Sequence, residues 1–133
     1  MRLPFLTLLL AGSGDCAERI ACTTQILTVA PSPSGQLKAV AFARSCGPQD
    51  ITMNLSILPR VDELEDGSGN VLVLATDPVR GTTDFPRVTW RDTNQLDVRL
   101  DTSLTVRRSV TEAAAVRVSY LTPSGDPLPG TLP

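Results

Sequence analysis

A chain of 133 residues with 12 basic and 14 acidic side chains and no histidine has room for one domain with a modest core. Its net charge of −2 offers no excess of cations for nucleic acid or an anionic membrane surface. The absence of histidine excludes Ser-His-Asp and Cys-His catalysis and the usual zinc sites.

Residues 1–13 have the order of an export signal. Arg2 supplies the charge, Phe5 to Leu10 an apolar run interrupted only by Thr7, and Ala11, Gly12 and Ser13 the small-residue cleavage region. Crossing a bilayer as a helix takes about twenty apolar residues, and no later segment offers half that many without a charge or a proline. Leu10-Ala11-Gly12 is what precedes the lipidated cysteine of bacterial lipoproteins, but Ser13 stands at the anchor position. Either the natural residue there is cysteine, which the short hydrophobic core favours, or cleavage follows Ser13 by the ordinary small-x-small rule. The expected location is therefore the periplasm or the outer surface, with membrane attachment only through a lipid if Ser13 is natively Cys. Residues 14–21 read as a flexible tether, in which Cys16 is a spare thiol.

Short runs rich in Val, Ile, Leu, Thr and aromatics predict strands over 25–30, 37–43, 51–58, 70–75, 87–91, 95–100 and 115–121, parted by Gly, Pro, Ser and Asn clusters. Several alternate cleanly, such as Leu96, Val98 and Leu100 against Asp97 and Arg99, as half-buried antiparallel strands do. Cys22 and Cys46 are equidistant from Ser34, the centre of the first turn. That register sets Ala30 against Lys38, Thr28 against Val40, Ile26 against Phe42, Thr24 against Arg44, and Cys22 against Cys46. Directly opposed residues lie about 4.5–5.5 Å apart, which a disulfide accepts. The predicted Cys22–Cys46 bond closes a loop of about 25 residues, worth roughly 3–4 kcal/mol.

The densest acidic stretch, residues 62–70, holds Asp62, Glu65, Asp66 and Asn70 as calcium candidates. Its spacing misses the EF-hand, because Leu64 sits where the third loop position needs an oxygen, and a solvated hairpin loop explains it better. Asn54-Leu55-Ser56 is formally a glycosylation sequon. Residues 109–115 are the one place for a short helix, with Thr111, Glu112 and three alanines. The Pro- and Gly-rich residues 122–133 read as a disordered tail or extended linker. The expected domain over 22–121 is all-β: a single curved antiparallel sheet or small β-sandwich of about seven strands, with at most one short helix.

Ser32-Pro33-Ser34-Gly35-Gln36-Leu37-Lys38-Ala39-Val40-Ala41-Phe42 resembles the SPDGK hairpin of periplasmic propeller blades, with Ser34 in place of Asp. Val88-Thr89-Trp90-Arg91-Asp92-Thr93-Asn94-Gln95-Leu96 is similar to the hairpin that ends such blades. A propeller needs four or more blades of about forty residues, more than this chain holds. The closer resemblance, over residues 22–120, is to a group of small uncharacterised bacterial lipoproteins. They combine a Cys before the first strand, this turn, an R-D-C-G motif and a later tryptophan strand. Arg44-Ser45-Cys46-Gly47 departs from that motif at Ser45. The resemblance implies no activity and no cofactor.

Two function classes remain. The first is a non-enzymatic envelope module that binds another protein, as an inhibitor, an immunity protein or an accessory subunit. The second is a small-ligand-binding or hydrolytic protein using carboxylates and arginines, for instance Asp77, Arg80, Asp84 and Arg87. A deep charged pocket would favour the second class, and an exposed apolar patch the first.

Overall fold

The computed structural model describes residues 21–48, 50–76, 86–100 and 105–128. Among these the chain is all-β, with nine strands and no helix. They are β1 (Thr23–Pro31), β2 (Leu37–Ser45), β3 (Ile51–Pro59), β4 (Leu72–Ala75), β5 (Arg87–Asp92), β6 (Gln95–Arg99), β7 (Thr105–Ser109), β8 (Glu112–Ala113) and β9 (Val116–Leu121). One sheet has the order β1-β2-β3-β4-β7 and the other β5-β6-β9-β8. The small-sandwich form of the expectation therefore holds, with β7 and β8 added to the seven predicted strands.

The core lies between the sheets. Ala39 and Ala41 of β2, Met53, Leu55 and Ile57 of β3, and Leu72 and Leu74 of β4 meet Leu96, Val98, Val116 and Val118 from the second sheet. Small stands opposite large where β2 pairs with β3, Ala39 with Ile57 and Ala41 with Leu55, so the sheet surface is filled without crowding. Trp90 and Tyr120 tie the second sheet to the rest of the sandwich. Trp90 Nε1 donates to the Ala30 carbonyl at 2.9 Å, and the Tyr120 hydroxyl donates to the Val110 carbonyl at 2.6 Å and lies 3.3 Å from that of Val71.

Cys22 and Cys46 are disulfide-bonded, with their Cα atoms 4.2 Å apart. The predicted register holds from that bond through Thr24 with Arg44 and Ile26 with Phe42. A bulge between Ile26 and Thr28 then shifts it by one, so Thr28 faces Ala41 and Ala30 faces Ala39, rather than Val40 and Lys38. The extra residue, Leu27, is what a symmetric count from the turn does not reveal.

Three further expectations are corrected. Residues 109–115 form no helix: β8 and β9 make a hairpin in which Ala113 pairs with Val116, turned by Ala114 and Ala115 at φ of 52° and 63°. Two successive left-handed residues suit a two-residue hairpin, although alanine is a costly residue to place there. The sheets are not purely antiparallel, since β9 runs parallel to β6. Between them the chain crosses to the first sheet as β7 beside β4, returns through β8, and so enters β9 in the direction of β6. The tail begins in order: Thr122 to Asp126 make a turn, Leu121 bridges Pro127, and Leu128 packs on the core. The signal with Ser13, residues 14–20 of the tether with Cys16, and residues 129–133 lie outside the described residues.

Candidate functional site

Strand edges are where a β-sandwich offers unpaired backbone groups, and most proteins blunt them with charge, shortness or cover. Among the described residues this fold has four edges: β1, β7, β5 and β8. Strand β7 carries Arg107 and Arg108, β5 carries Arg87, Arg91 and Asp92, and β8 is two residues long. β1 differs from all three. Its nine residues, Thr-Thr-Gln-Ile-Leu-Thr-Val-Ala-Pro, contain no charge.

The side chains of β1 are also unusually open. Ile26 is 55%, Leu27 41% and Val29 50% exposed, and only Ala30 of this strand packs on the core. Ile26 is paired with the fully buried Phe42 and Val29 with the buried Val40, so the apolar surface of β2 continues outward to a wet edge. The disulfide fixes one end of the strand and the Trp90 hydrogen bond to Ala30 fixes the other. The stretch between them is thus an extended segment held in place at both ends, with its outward backbone groups available to a further strand.

Two open depressions are lined by described residues. The first, about 360 Å³, lies under the connection from β3 to β4 and is lined by Ser56, Asn70 and the acidic residues Asp62, Glu63, Glu65 and Asp66. The calcium candidates Asp62, Glu65, Asp66 and Asn70 are therefore brought to one place, but two of them are already engaged. Asp66 accepts from Arg44 at 3.3 Å, while the Asn70 amide bonds both the N–H and the carbonyl of Ile57 at 2.9 Å. Among the described residues no group of three or more His, Cys, Asp or Glu is placed to hold a metal ion.

This connection is held by polar groups buried in β3. Asn54 accepts from the Gly69 amide at 2.9 Å and donates to Thr52, and Ser56 accepts from the Asn70 amide at 3.0 Å. Asn54, the sequon residue, is fully buried, so its amide is occupied inside the folded domain. A Cβ at Gly69 would lie 2.5 Å from the Leu55 carbonyl oxygen, which explains why glycine stands at the point of closest approach.

The second depression, about 530 Å³, is on the outer face of the second sheet and is lined by Arg91, Asp97, Arg99 and Gly125 among others. Arg87 of the charged quartet is on the same face of β5, while Asp77, Arg80 and Asp84 lie outside the described residues. Sequence reading did not single out β1 as a site, because its Thr, Ile, Leu and Val are ordinary strand residues. The signal that could have found it was the absence of any charge in nine residues.

No protein family, curated protein or solved structure matches this chain.

Proposed function

We propose that this is an exported, envelope-associated, non-enzymatic module that binds another protein by receiving an extended segment of it along β1. The observation that carries the reading is the uncharged nine-residue edge with Ile26, Leu27 and Val29 exposed. Strand addition draws affinity from main-chain hydrogen bonds and specificity from alternate side chains. Exposed β-branched and aliphatic residues favour a partner segment that is itself apolar on one face.

Export rests on the leader at residues 1–13, and the disulfide is compatible with an oxidising compartment. If Ser13 is natively Cys, a lipid tethers the domain to the membrane surface, as in the small lipoproteins it resembles. The test is affinity capture from an envelope extract with the wild-type domain and with Leu27→Lys. Leu27 is partly exposed, so a lysine there is accommodated in the fold but places a charge on the edge. The wild type is expected to retain a partner that Leu27→Lys loses. Equal retention by both would refute docking along β1.

A further inference from the structure

The outward face of the second sheet holds an uncompensated pair of cations. Arg91 is balanced by Asp97, with its Nε 3.5 Å from Oδ2, and Arg117 stands directly opposite Glu112. Arg87 stands directly opposite Arg99 in the β5–β6 ladder. Like charges in that position destabilise a sheet. Among the described residues neither arginine has a carboxylate at ion-pair distance. The Arg99 guanidinium is steadied by the tail turn, where a Cβ on Gly125 would meet its Nη2 at 3.3 Å. Beside it, in the depression, Asp97 Oδ1 is buried with no hydrogen-bond partner.

These groups specify a ligand. Two arginines directly opposed in the ladder match a dianion, and the forked N–H groups of a guanidinium match the oxygens of a tetrahedral oxyanion. A carboxylate accepts only, so an anion sitting beside Asp97 must bring its own O–H donor. Hydrogen phosphate, or a phosphate group carried next to a hydroxyl, meets both demands; sulfate brings the charge without the proton. We propose that Arg87 and Arg99 bind such a phosphate and that Asp97 selects it by accepting its hydroxyl hydrogen. This site is independent of β1 and does not rest on the protein-binding reading.

The test is a titration of the nitrogen-15-labelled protein with sodium phosphate, and separately with sodium sulfate, at constant ionic strength, following the arginine Nε–Hε resonances. Saturable shifts at Arg87 and Arg99 are expected with phosphate, with sulfate about tenfold weaker. Arg99→Gln is expected to lose the phosphate response. Arg87→Gln is expected to weaken it while raising the thermal midpoint of the phosphate-free protein, because it removes the opposed charge. Sedimentation with phosphatidylcholine vesicles, with and without phosphatidic acid, separates the sources: retention on phosphatidic acid assigns a lipid headgroup, and phosphate binding without retention assigns a soluble phosphate. No saturable shift with phosphate, or equal shifts from phosphate and sulfate, would overturn the assignment.

Discussion

Removing the Cys22–Cys46 bond is expected to cost this domain a large share of its stability. The bridged cysteines are 24 positions apart, and the chain-entropy relation for a loop of that size gives about 3.5 kcal/mol at 25 °C. Small domains have only about 5–15 kcal/mol in total. Beside its ladder to β2 and the Trp90 hydrogen bond, β1 has little core packing to hold it, since Ala30 is its one described residue packed on the core. The perturbation is the double variant Cys22→Ala and Cys46→Ala, compared with the wild type in reductant. The assay is urea unfolding followed by the fluorescence of Trp90, the single tryptophan, whose N–H is bonded to β1. With a slope of about 1.5 kcal/mol per molar urea, the midpoint should fall by about 2 M in both cases. A fall below about 0.5 M would refute the view that the bond supports the hairpin.

Three other outcomes follow from local geometry. Gly69→Ala should lower stability by about 2–3 kcal/mol in the same urea assay, because the new Cβ meets backbone on two strands and neither neighbour is a flexible side chain. Replacing Ala114-Ala115 with Asn-Gly should raise stability by about 1–2 kcal/mol, since both positions have positive φ. Burial pushes the Tyr120 hydroxyl from 10 up to about 12, so the folded state holds its proton longer than the unfolded chain does. Its contribution is complete below pH 10 and is lost as the pH rises toward about 12, a decline that Tyr120→Phe should lack in a pH series of unfolding midpoints.

Seven of the nine strands were legible because their periods and turn residues agree. The disulfide was legible because Cys22 and Cys46 flank one turn symmetrically. β7 was missed because Thr105-Val106-Arg107-Arg108-Ser109 is a charged edge strand with a single partly buried apolar residue. The alanines at 113–115 suggested a helix, but the hairpin between β8 and β9 overrides that local propensity. Nothing in the composition of β3 announces that Thr52, Asn54 and Ser56 are buried, yet all three are, Asn54 and Ser56 against the connection that follows. Their burial depends on contacts about 15 residues away, such as Gly69 on Asn54, which no local pattern encodes. The opposed arginines were invisible for a similar reason: Arg87 and Arg99 become neighbours only through the ladder register.

Amide hydrogen exchange of β1, in the free domain and in the captured complex, tests the strand-addition reading most directly. The outward-facing amides between Thr23 and Val29 should exchange quickly in the free protein and become protected when the partner binds, while the edges β5 and β7 are unchanged. Protection that appears on β5 or β7, with β1 exchanging as before, would contradict the account.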